Sequence, residues 1–162
     1  MTAFIYRMPA GIAGDVTRHE ASKIEPQLMD ASYPVTEFGV PVKMVSGKVR
    51  PMPSGATYAD VYGFSVRPYP SQMAASEAIG AATPDVNKGI IDILVSGYMT
   101  VKVKNGTPTK NAAVYFRASA GSPAELIGQL EAGSLSNNTI LTGATFVGTG
   151  DADGNVEIKF NV

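Results

Sequence analysis

The sequence predicts an all-β fold, a β-sandwich or jelly-roll-like barrel with an extended N-terminal arm and at most one or two short helices. Three observations carry this. Apolar and polar residues alternate with a period of two in about six separate segments. Seventeen glycines and eleven prolines among 162 residues punctuate the chain at short intervals, which suits short strands and turns better than a helical bundle. The longest alternation, GIIDILVSGYMTVKVKN from Gly89 to Asn105, sets Ile91, Ile93 and Val95 against Asp92, Leu94 and Ser96, then Met99, Val101 and Val103 against Thr100, Lys102 and Lys104. That is the pattern of a strand with one buried face. The run exceeds an ordinary strand of about 5–6 residues, so it is either two strands or one long bent strand with Gly97 as the bulge or corner.

Taken in order, residues 1–22 show neither strand nor helix period and read as an extended arm, and residues 23–162 read as a single β domain. Pro9, Gly11, Gly14 and the polar stretch DVTRHEAS interrupt the arm, while Phe4, Ile5, Tyr6 and Met8 need cover from the chain's own core or from a neighbouring molecule. Ile24 to Met29 is a first strand, placed at a sheet edge by Pro26. In VPVKMVSGKVRPM, Ser46-Gly47 separates two apolar alternations and predicts a hairpin. Thr57 to Val66 is the next strand, with Tyr58, Val61, Phe64 and Val66 toward the core, and Arg67-Pro68-Tyr69-Pro70 then forces an extended exit. SQMAASEAIGAA, residues 71–82, is the most helix-like piece, capped by Ser71 and stopped by Thr83-Pro84. Val114 to Ala118 is a short strand. Residues 122–133 fit either a capped short helix or a loop followed by the strand IGQLEAG, and the β character of the rest favours the second. Thr139 to Gly148 and Asn155 to Val162 form a final pair, with Val156, Ile158 and Phe160 inward and Glu157 and Lys159 outward.

Composition excludes several functions. Thirteen basic against fourteen acidic residues leave a net charge of −1, without the basic excess of a nucleic-acid binder. With no cysteine, a disulfide framework, a thiolate metal site and a cysteine nucleophile are all ruled out. No apolar run reaches the roughly 18 residues of a membrane span, and the N-terminus lacks the apolar core of a signal peptide. His19 is the one histidine, which removes multi-imidazole metal sites and leaves any Ser-His-Asp triad dependent on a residue flanked by Arg18 and Glu20. Asp151-Ala152-Asp153-Gly154-Asn155 starts like a calcium loop, but glycine stands fourth rather than sixth and Val162 occupies the place of the closing glutamate, so a hairpin tip is the better reading. No phosphate-binding glycine motif occurs. No catalytic, cofactor or metal residues are therefore assigned, and a binding or structural role remains.

Four segments, IYRMPAGIAGDVTR, DVYGFSVRPYP, IIDILVSGYMTVKVKNG and ATFVGTGDADGNVEIKFNV, together resemble the capsid cement, or decoration, proteins of tailed phages, in an order and spacing that cover most of the chain. The resemblance implies a non-enzymatic, predominantly β protein without cofactors. Such a protein binds the outside of an assembled icosahedral capsid in many copies, reinforces contacts between major capsid proteins, and commonly reaches onto neighbouring subunits through arms and loops. Its partners would be the major capsid protein and sister copies in a homo-oligomer, with no nucleic acid or membrane. Its place would be the outer surface of the virion, assembled in the bacterial host cytoplasm. The expected contact residues are Phe4, Ile5, Tyr6, Arg7 and Met8 of the arm with Arg18 and His19, and Arg67, Pro68 and Tyr69 of the connector, because arginine and tyrosine are favoured anchors and proline limits the entropy lost on binding. Two rivals share the composition: a phage tail, fibre or baseplate β-domain, and a carbohydrate-binding β-sandwich, the latter weakened by the absence of tryptophan.

Overall fold

The computed structural model describes residues 11–68, 82–87, 89–120 and 126–161. Among them are nine strands: β1 (Lys23–Met29), β2 (Pro41–Val45), β3 (Lys48–Pro51), β4 (Gly63–Ser65), β5 (Ile90–Asn105), β6 (Ala113–Arg117), β7 (Leu130–Ala132), β8 (Asn138–Phe146) and β9 (Asn155–Phe160). Two three-residue 3-10 turns, His19–Ala21 and Tyr58–Asp60, complete the regular structure of the described residues.

The long alternation is one continuous strand, β5, and the strands around it close into two hydrogen-bonded rings that share it. The first half of β5 pairs antiparallel with β1 on one edge and β4 on the other, and β1, β3, β2 and β4 close the smaller ring. The second half pairs with β9 and with β7, and β7, β6, β8 and β9 close the larger ring. Closure gives each of the nine strands a partner on both sides for at least part of its length, which shortens the open edges that invite aggregation, and the start of β1 stays open beyond its two-residue pairing with β3. The all-β barrel expectation is met, with two small rings in place of one large one.

Each ring encloses a separate core. Met29, Val35, Val42, Val49, Ile91 and Ile93 pack in the smaller ring. Phe64, Met99, Val101, Val114, Phe116, Leu130, Leu141, Phe146, Val156, Ile158 and Phe160 are among those packing in the larger. The crossing point lies just before Gly97. Lys23 stands opposite Ser96 while Ile24 stands opposite Leu94, so Val95 is bulged out of register. Gly97 follows with φ +134°, and a Cβ there would come 2.6 Å from Ser22 Cα, so glycine is required for the chain to pass this close. At the joint the Phe64 and Phe160 rings meet edge to face, with centroids 5.1 Å apart.

Local chemistry explains the smaller pieces. Val45 and Lys48 are paired across Ser46 and Gly47, whose φ values of 51° and 76° are those of a type I′ turn, as the hairpin reading expects. Pro26 sits opposite Asp92 on β1, whose other side meets β3 only at Leu28 and Met29, so the proline occupies a stretch where its missing N–H costs no ladder bond. Residues 126–129 form a turn leading into β7, in agreement with the loop-then-strand reading. The expected helix over 71–82 falls almost wholly outside the described residues.

Three expectations need correction. Leu94, placed outward by the alternation, is fully buried, because the outer face of the smaller ring becomes part of the larger core where the rings meet. Thr100 is fully buried as well, covered by residues 11–15, whose Gly14 N–H donates to the Thr100 carbonyl at 2.8 Å. Tyr58, expected in the core of a strand from Thr57, is 52% exposed. The Asp60 carboxylate accepts the Thr57 N–H at 2.9 Å and closes a turn, so the strand begins only at Gly63.

An ion pair ties the larger ring together. Glu131 on β7 and Arg117 on β6 are both buried and bonded to each other. The same carboxylate accepts from Asn105 on β5 at 3.0 Å and from Asn138 on β8 at 2.7 Å. Burial alone would raise the Glu131 pKa, but the hydrogen bonds from Asn105, Asn138 and Arg117 outweigh it and hold the carboxyl below its ordinary value.

Two denaturation experiments follow from this architecture. Val101→Asp, which buries an unpaired charge, should lose about 3 kcal/mol or more, whereas Lys102→Asp on the exposed face should change stability by no more than about 0.5 kcal/mol. Equal losses would mean that the β5 register is off by one residue. Glu131→Ala strands the buried Arg117 and should cost about 3–5 kcal/mol, while a Glu131→Ala protein as stable as wild type would show that the four-strand contact is dispensable.

Candidate functional site

The candidate site is the surface that carries the expected contact residues, and its electrostatics decide what that surface can hold. Of the expected contact residues, Phe4, Ile5, Tyr6, Arg7, Met8 and Tyr69 lie outside the described residues. The others fall into two groups with different neighbours.

Arg18 and His19 stand where residues 11–22 run along β5. Thr100 N–H donates to the Asp15 carbonyl at 2.8 Å and Thr17 N–H to the Tyr98 carbonyl at 3.1 Å, so residues 14–17 act as a short added strand between β1 and β7. Arg18 then reaches β9, where Nε and Nη2 donate to the two Glu157 oxygens at 3.1 and 3.0 Å. Its guanidinium carbon also lies 4.1 Å from the centre of the Tyr98 ring. Thr17 Oγ1 donates to the same glutamate at 2.6 Å. His19 is exposed and begins the 3-10 turn that carries the chain to β1.

Arg67 is directed inward. Its side chain is 7% exposed, Nε donates to the Ala13 carbonyl at 3.0 Å and Nη1 to the Ala82 carbonyl at 3.2 Å, and the guanidinium lies over Phe38. Burial lowers its pKa, partly offset by Asp15. Pro68, next to it, is exposed. The sequence therefore marked two arginines of different standing: Arg67 fastens the 11–15 segment to the body, and Arg18 is a half-exposed clasp. Thr17, Glu157 and Tyr98, which complete that clasp, were missed, since Glu157 carries no local signal beyond an outward-facing strand position.

The outer face of the smaller ring carries two further clasps. Arg50 Nη2 lies 2.7 Å from the Asp30 carboxylate, and the Tyr33 ring stacks on the guanidinium. Lys43 Nζ lies 2.6 Å from Asp60. Lys43 and the Thr57 backbone N–H depress the Asp60 pKa to about 2. Between them a depression of 540 Å³ is lined by residues that include Tyr33, Pro34, Val45, Pro51 and Pro53. At the opposite end of the chain, the Asp151 carboxylate accepts the backbone N–H groups of Asp153 and Asn155 at 3.0 and 2.8 Å, which makes the DADGN segment a self-capped hairpin tip.

The model of the structural cement protein family (E217 gp24/Pam3 gp6) matches residues 2–161. The chain belongs to this family. Membership makes it a phage structural protein with a capsid-binding cement role. Among solved structures, a chain from the capsid of Myoviridae phage XM1 superposes with a TM-score of 0.70 over 98% of this cement protein and 95% of that chain, at 17% identity. At that identity the likeness shows a common fold. No curated protein sequence matches.

The clasps make a pH prediction for the cement protein. Because the folded Asp60 pKa is depressed, its stabilising effect is complete above the ordinary value of 3.8 and disappears as pH falls through about 2. Asp60→Asn should therefore melt below wild type at pH 7, and the gap should close in acid. A gap that persists unchanged at pH 2 would show that the carboxylate charge is not what holds the 57–60 turn.

Proposed function

We propose that this cement protein binds the outer surface of an assembled icosahedral shell in many copies and reinforces the joints between major capsid proteins. The observation that carries the reading is the family match across residues 2–161. Ring closure supports it. With most strand edges paired among the described strands, binding falls to exposed side-chain faces and to the arm. The protein acts without catalysis or cofactor, against the phage major capsid protein and sister copies, on the virion surface, after assembly in the host cytoplasm.

Physically, cementing is the addition of buried area across joints that are individually weak. A contact of about 800 Å² per partner is the ordinary scale of a specific interface, and engaging two subunits at once raises avidity by about 10²–10⁴. The arm, residues 1–22, is assigned a share of that contact. Arg18 and the 14–17 pairing fix its base on β5, and Phe4, Ile5, Tyr6, Arg7 and Met8 supply apolar reach.

The test is cosedimentation of the purified protein with shells from the same phage that lack it. Wild type should sediment with the shells and raise their resistance to heat, and a chain without residues 1–10 should keep its melting temperature but lose most of the binding. Free wild-type protein left in the supernatant would overturn the capsid reading. Normal decoration by the truncated chain would overturn the role of the arm.

A further inference from the structure

The outer face of the smaller ring carries a row of residues defined by strand register. Ile90 on β5 pairs with Leu28 on β1, Leu28 with Lys48 on β3, and Lys48 with Val45 on β2. All four point away from the ring, because their chain neighbours Val49 and Ile91 point into its core. Leu28 is 53% and Ile90 59% exposed, and Ile24 and Pro26 continue the apolar surface along β1. Tyr33, 58% exposed, lies beyond Arg50 on the same face. Contiguous apolar surface left in water across adjacent strands is what an interaction site presents.

The charges on this face indicate what covers it. Arg50 and Lys43 are already neutralised by Asp30 and Asp60. Lys48, at the centre of the row between Leu28 and Val45, makes no close ion pair, although its charge helps lower the Asp30 pKa, and Asp92 stands opposite Pro26. A second copy packed on this face about a two-fold axis through Lys48 would bring the two Lys48 side chains together. An apolar segment bearing a carboxylate satisfies the lysine and covers the leucine and isoleucine together.

We infer that this face, centred on Leu28, Ile90 and Lys48, is the surface that seats the cement protein on the shell, and that its partner is an apolar capsid-protein segment with an acidic residue opposite Lys48. The inference rests on the capsid-binding reading and adds the place and the chemistry of the contact. Arg18 and Arg67, by contrast, spend their hydrogen bonds within the chain.

Shell binding by full-length variants tests it. Leu28→Asp and Ile90→Asp change side chains that are more than half exposed, so both should melt within a few degrees of wild type. Each should weaken cosedimentation with cement-free shells by about tenfold or more, the scale of losing a buried apolar anchor. Lys48→Glu should weaken binding further than Lys48→Ala, and added salt should narrow that difference. Ile140→Asp, on the outer face of the larger ring where Ile140 is 45% exposed, is the control and should bind as wild type. Wild-type affinity in Leu28→Asp and Ile90→Asp overturns the placement, as does a loss confined to Ile140→Asp. If the free protein is a dimer that Leu28→Asp dissociates without loss of shell binding, the occupant is a second copy and the partner assignment fails. If wild type itself does not bind shells, the capsid reading falls and this inference falls with it.

Discussion

The backbone of β5 is the constraint on which everything else depends. A strand of 16 residues shared by two rings has donors and acceptors on both edges, and each one buried without a partner would cost free energy. The chain meets that demand piece by piece. Along one edge lie β1, then residues 14–17, then β7; along the other lie β4 and β9. Residues 14–17 are therefore a structural part, filling the gap at Tyr98–Thr100 that β1 and β7 leave. Arg67 and the Arg18–Glu157 clasp hold them there from either end.

Much of this could be read from the sequence because period two is a strong signal wherever one face of a strand is dry. The β2–β3 hairpin, β6, β8, β9 and the register of Val101 and Val103 all have that property. The failures share another cause. Leu94 and Thr100 belong to a strand that changes partners halfway, so their burial is set by elements far away in sequence and leaves no local trace. Tyr58 was lost to a competition between a strand-forming aromatic and a carboxylate three residues from Thr57, which the turn won. Glu131 lies in a three-residue strand too short to show a period, and its pairing with Arg117 depends on β7 returning between β5 and β6. The surface was the least legible part, because the row through Leu28 and Lys48 exists only once β1 and β3 are aligned in parallel.

The charge arrangement fits an adhesive protein better than an electrostatically steered one. Net charge is −1, and the cations Arg18, Lys43, Arg50 and Arg117 each have a carboxylate partner within the chain. Such a molecule projects little long-range field, so association relies on short-range apolar contact repeated over many sites. The clasps also hold side chains on the surface in fixed positions, which reduces the entropy lost when it is covered.

The order of the strands along the chain has a consequence for synthesis. The smaller ring uses β1 to the first half of β5, and the larger ring uses the second half of β5 to β9. By the time Ser96 leaves the ribosome every strand of the smaller ring exists, whereas the larger ring waits for Asn155 to Phe160 to lie down beside Gly97 to Lys102. Until then half of β5, including Met99, Val101 and Val103, lacks the partner that buries it. Synthesis thus completes the strand set of one barrel while the second half of β5 still waits for the partner that buries it.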